Sequence, residues 1–158
     1  MESALFAIGQ ISVTIVGFAA ILKAFERDNA TDAHTDPRIQ SMVEQGLVLV
    51  ILCFIPSLLL SFGMTQTNAL RVPGLLAAIW LSRWLYIMFM IRRAELSSGI
   101  AAMFRIAVVL HYGAFFSFLF SALAFFGQVD ALYFSGILFT FACVAWAFLA
   151  QFRIERKR

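Results

Sequence analysis

The chain has 158 residues, of which 62% are apolar and 13% charged, and its net charge is +3. Soluble domains carry about 45–50% apolar and about 25% charged residues, and a globule of this size has too much surface to bury such an excess. The composition excludes an ordinary soluble domain and predicts a chain whose solvent is lipid.

The charges are spaced to match. No Asp, Glu, Lys or Arg occurs between Glu2 and Lys23, or over 45–70, 106–129 and 131–152, and 72–91 is broken only by Arg83. Each run reaches the roughly 20 residues that a helix needs to cross about 30 Å of hydrocarbon. Transmembrane strands would show runs of about 10 residues with alternating polarity. The expected fold is an all-α polytopic integral membrane protein with five transmembrane helices, forming one domain over 1–158.

The first predicted span covers 4–22. Glu2 precedes it, while the basic residues Lys23 and Arg27 follow it, so it reads as a retained span and not a cleaved signal. Neither Glu2 nor the closing Arg156-Lys157-Arg158 fits a lipidation signal. A polar loop, 23–41, comes next. Its Asp28, Asp32, His34 and Asp36 have the spacing of neither an EF-hand nor a zinc motif and read as a solvated loop, so no metal is expected. Asp36-Pro37 predicts a turn or a helix start at Arg38.

Span two, 42–64, carries Glu44 at its inner end and Pro56 in its outer half. Span three, 72–91, has Pro73 in its first turn, where proline is tolerated. Residues 94–104 read as a short connection or interfacial helix. Spans four (106–127) and five (131–152) form a hairpin through the tight turn at 127–130. Twelve of the 18 Phe residues fall in 104–152.

Orientation follows from Lys and Arg in the connections. Five spans gather Lys23, Arg27, Arg38, Arg92, Arg93, Arg105, Arg153, Arg156, Lys157 and Arg158 on one side and leave Arg71 on the other. Ten against one predicts an outside N-terminus and a cytoplasmic C-terminus, in a cell membrane of the bacterial inner-membrane kind. The asymmetric positive charge is thereby explained without a nucleic-acid partner. The Asn29-Ala30-Thr31 sequon then lies in the cytoplasm and should be silent.

Arg83 is the main candidate site residue. A charge inside a span costs at least about 2.5–3.5 kcal/mol and should face protein or water. Counted from the outer ends of their helices, Gln10, Ser57, Ser121 and Thr140 fall at its depth. The Leu52 carbonyl, which Pro56 deprives of its helical donor, is a further acceptor for its guanidinium. With no Asp or Glu in the core of any span, Arg83 has no evident intramembrane counter-ion. The group reads as an anion or lipid site, or more plainly as a snorkelling or helix-bonding arginine.

His111, inside span four, is a candidate proton or ligand contact, though a hydrogen-bonded packing histidine is the plainer alternative. The second histidine, His34, lies in the polar loop, which argues against a bis-histidine haem, and no cofactor is expected. Cys53 and Cys143 read as small packing residues. Small residues four apart, at Gly113/Ser117/Ser121, Ser57/Ser61 and Gly136/Thr140, predict close helix contacts.

No nucleophile–base pair, HExxH, P-loop or paired carboxylate occurs, so no enzyme is expected. Two readings remain. One is a structural or accessory subunit of a membrane assembly, with the lipid bilayer and other membrane helices as partners. The other is a homo-oligomeric pore, or an anion- or lipid-binding protein, built on Arg83.

Overall fold

The computed structural model describes the backbone of residues 2–27, 37–92, 98–124 and 127–155, and within these the side chains of 3–18, 42–90, 105–124 and 127–149. All five described elements are helices: α1 (Glu2–Arg27), α2 (Pro37–Ser61), α3 (Gln66–Arg92), α4 (Ser98–Ala122) and α5 (Val129–Glu155). Four contain stretches long and apolar enough to cross a membrane: Met42–Ser61, Gln66–Met90, Arg105–Ala122 and Val129–Leu149. In α1 the described apolar stretch is the shorter Ser3–Phe18. The chain is thus a helical protein with membrane-spanning character. The loop residues Asp28, Asn29, Asp32, His34 and Asp36 lie outside the described residues.

Helix ends follow local chemistry. Gly63, at φ +82°, stops α2: its N–H donates to the Leu60 carbonyl at 2.9 Å and the Met64 N–H to that of Leu59 at 3.2 Å. This pair of bonds, closed through a left-handed glycine, satisfies carbonyls that a helix end leaves orphaned. Thr65 then opens α3, its carbonyl accepting the Ala69 N–H at 2.9 Å. The helix therefore starts six residues before the expected 72, and Pro73 stands inside it and not in its first turn. Helix α4 begins at Ser98, so much of 94–104, expected as a connection or an interfacial helix, is the first part of α4.

Helix α4 packs along both α3 and α5, α1 packs chiefly along α2, and α2, α3 and α5 touch one another. The α4–α5 hairpin interlocks reciprocally. A β-carbon at Gly113 of α4 would come 2.9 Å from the Phe139 ring of α5, and one at Gly136 of α5 would come 2.8 Å from the Phe118 ring of α4. Each glycine is thus the socket for the other helix's phenylalanine. Gly74 does the same for backbone, since a β-carbon there would come 3.3 Å from the Phe118 carbonyl oxygen of α4. In lipid, where no hydrophobic force separates helix from solvent, such close contact is what holds helices together. Phe118 and Tyr133 are fully buried at the centre, edge to face at 5.4 Å.

Candidate functional site

Polar side chains of the bundle fall into two layers. The first lies toward the end where α2 begins and α3 finishes. Glu44 is near the start of the apolar part of α2, and its Oε1 accepts the Trp80 indole N–H at 3.3 Å and faces Arg83 Nη1 at 3.5 Å. The two partners stand three residues apart on α3, so one face of that helix reaches one carboxylate. Arg83 keeps 65% of its side chain exposed, against 32% for Glu44. The ring of Trp84, one turn on, meets that of Trp80 edge-on at 6.3 Å.

This geometry corrects two expectations. Arg83 does have a counter-ion, and that counter-ion is Glu44, which its place near the end of a span conceals along the sequence. Nor does Arg83 reach the depth of Ser57, which lies thirteen positions from Glu44 along α2, roughly 20 Å at the helical rise. Among the described residues no hydrogen bond joins Arg83 to Gln10, Ser57, Ser121 or Thr140. Antiparallel packing of α2 on α3 decides the matter, because it sets the middle of α3's inner half beside the first turns of α2.

The same layer continues inside the bundle. Gln45, next to Glu44, points inward and donates its Nε2–H to His111 Nε2 of α4 at 3.2 Å. His111 Nδ1 lies 2.8 Å from the Ala107 carbonyl and 3.4 Å from Cys143 Sγ of α5. A carbonyl only accepts, so Nδ1 carries the ring proton and Nε2 is left to accept from Gln45. The sulfur is a second, weak acceptor for the same N–H. His111 is 3% exposed, and Gln45 and Cys143 are buried with it. Three helices are thereby joined through one imidazole whose both nitrogens are used.

The second layer lies at the opposite end of these helices. The carbonyl of Leu52, freed by Pro56, accepts the Tyr133 hydroxyl of α5 at 2.7 Å, and Arg83 takes no part. Arg71 Nε donates to the Ala122 carbonyl at the end of α4 at 2.8 Å, and Gln66 Nε2 donates to Asp130 Oδ2 at 2.8 Å. The remaining expected site residues stay apart. Ser121 Oγ donates to the Val129 carbonyl at 3.1 Å and Thr140 Oγ1 to its own helix at Gly136, 2.9 Å away. Gln10 is exposed on α1, and Ser57 lines a cleft of about 490 Å³ beside Pro56.

Sequence reasoning names Arg83 and His111 but misses Glu44, Trp80 and Gln45 around them, and it misses Tyr133 as the partner of the Leu52 carbonyl. A signal for Glu44–Gln45 exists: two adjacent polar residues at the start of an apolar helix face sides about 100° apart, and so two different neighbours. Nothing along the chain marks Tyr133 as the partner of Leu52, because that pairing depends on which helix lies against α2. No known family model matches this chain, and no curated protein or solved structure shows detectable similarity to it.

Proposed function

We propose that this chain is a non-enzymatic integral membrane protein of five spans, outside at its N-terminus and cytoplasmic at its C-terminus, that serves as a structural or accessory subunit of a membrane assembly. One observation carries the reading: Arg83 sits on the outward stripe of α3, between exposed Ile79 and Tyr86. Arg71, five residues into that helix, and Arg92 at its end stand 21 residues apart, roughly 31 Å and so about one hydrocarbon thickness. Arg83 stands nine residues inside Arg92, roughly 13 Å along the rise.

A guanidinium there meets one carboxylate at the edge of hydrogen-bond range and leaves most of its donors uncovered. A neighbouring protein surface that supplies acceptors offsets the cost of that exposure. The bundle interior carries its own pairs, Gln45–His111 and Tyr133–Leu52, and among the described residues leaves the buried Trp84 indole N–H without a partner, so the charged group with donors to spare is the one on the outward stripe. The fifth span is α1, whose 26 helical residues measure roughly 39 Å and pack along α2. The ten-to-one basic asymmetry supports the orientation.

The second reading is a homo-oligomer in which copies gather their Arg83 side chains into an anion or lipid site or pore. The same exposed guanidinium favours it, and one experiment separates the two. A photo-crosslinking residue replaces Ile79 in the full chain, and adducts are identified with Arg83 intact and in the R83Q background. An adduct to a different membrane polypeptide that fades in R83Q supports the subunit reading. Adducts to a second copy, in a particle that conducts anions in bilayers, overturn it in favour of the pore. Lipid adducts alone overturn both. Reporters fused after Arg158 and inserted in the α2–α3 turn at 63–65 should read cytoplasm and exterior, and an exterior C-terminus refutes the five-span topology.

A further inference from the structure

At the far end of α2 from Arg83, helices α1 and α3 each pack on α2 but make no substantial contact with one another. The gap between them is the cleft of about 490 Å³, within the range of small-molecule sites. Its walls are graded. Leu5, Pro56, Leu60 and Leu70 supply apolar surface, whereas Ser3, Ser57 and Gln66 supply polar groups from all three helices. Gln66 is not a free amide: its Nε2 donates to Asp130 Oδ2, which leaves its carbonyl oxygen as an acceptor and places a carboxylate beside the cleft. No lining residue is cationic.

We propose that this cleft binds a neutral amphiphile, a long-chain molecule whose head carries hydroxyl groups and no negative charge. The chain lies along Leu5, Pro56 and Leu60 at the outer end of the spans, and a head hydroxyl donates to the Gln66 carbonyl within reach of Ser3 and Ser57. The chemistry selects against acids. Asp130, held beside the cleft by Gln66, repels a carboxylate or phosphate head, while Arg71, the cation of this layer, is turned to the Ala122 carbonyl and is not part of the lining. An empty gap of this size inside a membrane is filled by lipid in any case, so the specific content of the proposal is the preference for a neutral hydroxylated head.

The test uses the full chain in phosphatidylcholine vesicles with a trace of a monoacylglycerol bearing a photoactivatable group in its acyl chain. A fatty acid with the same group is the matched control. Irradiation and peptide mapping should place the monoacylglycerol on 3–5, 56–60 and 66–70, with the fatty acid labelling these segments about fivefold less or lower, the worth of one hydrogen bond. Q66L should bring the two probes to equal labelling, and A69F, which fills the cleft, should abolish the labelling of 56–60. Should A69F fail to fold, L60F on the half-buried rim tests the same volume. Labelling spread evenly over the lipid-facing sides of α3 to α5 overturns the proposal. So does equal labelling by both probes in the unaltered chain, or undiminished labelling in a folded A69F or L60F protein. None of these outcomes depends on what covers Arg83.

Discussion

Removing the Tyr133 hydroxyl tests the link between Pro56 and the helix packing. Proline at position 56 has no N–H, so the Leu52 carbonyl, four residues back, loses its helical donor in the middle of a buried face. The Tyr133 hydroxyl donates to it at 2.7 Å, and Tyr133 is itself fully buried. Tyr133→Phe keeps the ring against Phe118 and strands one carbonyl. An unsatisfied buried group costs about 1–3 kcal/mol in general, while interhelical hydrogen bonds in bilayers average about 0.6 and reach about 1.7 kcal/mol. A loss of about 1–2 kcal/mol is expected. Pro56→Ala returns an N–H to position 56 and hence a helical donor to Leu52. In that background Tyr133→Phe should cost about 0.5 kcal/mol or less, and the cycle should show coupling of about 1 kcal/mol. Reversible unfolding in mixed micelles, followed by circular dichroism across the four proteins, measures all the terms. Equal costs of Tyr133→Phe in both backgrounds would refute the claim that this hydroxyl serves the proline.

Gly136→Val should destabilise the hairpin by about 1–3 kcal/mol through overpacking on Phe118, while Gly17→Ala, whose new methyl meets nothing within 4 Å, should be neutral or gain up to about 1 kcal/mol of helix propensity. Unfolding midpoints of the two variants compare them directly. Gln45→Leu removes the donor to His111 Nε2, strands a buried acceptor and should cost about 1–2 kcal/mol; the imidazole nitrogen resonances should lose the signature of a hydrogen-bonded Nε2. Ala124 holds a left-handed φ of +54° in the turn after α4, so Ala124→Gly should relieve up to about 1 kcal/mol of strain, read as a raised unfolding midpoint.

The helices are legible along the chain because charge is costly in hydrocarbon, and an uncharged run of about 20 residues matches the thickness that a span must cross. Their ends are less so. The start of α3 at Gln66 is hidden because Thr65 through Asn68 are polar but uncharged, and a rule built on charge and hydropathy sees no helix in them. The Schellman stop at Gly63 is open to reading from a glycine after an apolar run, and it fixes the turn that sets α3 antiparallel to α2. The expected small-residue contacts at Gly113 and Gly136 do hold the hairpin, each meeting a phenylalanine of the other helix. Which phenylalanines fill them depends on relative rotation, to which the sequence carries no local clue.

Arg83 shows where depth counting along one helix fails. Counting from the outer end places its head level with Ser57, on the premise that the side chain leans back toward the start of its helix. In the fold that head meets the carboxylate of Glu44 at 3.5 Å, and Coulomb attraction within a medium poorer than water in screening outweighs a lean of a few ångströms. Glu44 escapes a search of span cores because it stands near the end of an apolar run. Yet Arg38 lies six residues before it, roughly 9 Å, so the carboxylate is inside the bracket that the basic residues define. Two charges, each costly in that layer alone, are placed where antiparallel neighbours let them share the cost. The same step of chain sets Gln45 facing the opposite way, toward His111. One dipeptide of α2 thus carries both the bond that closes the interior and the ion pair left on the surface, which is why a change at position 44 should disturb the Arg83 pair and one at 45 the packing of α4.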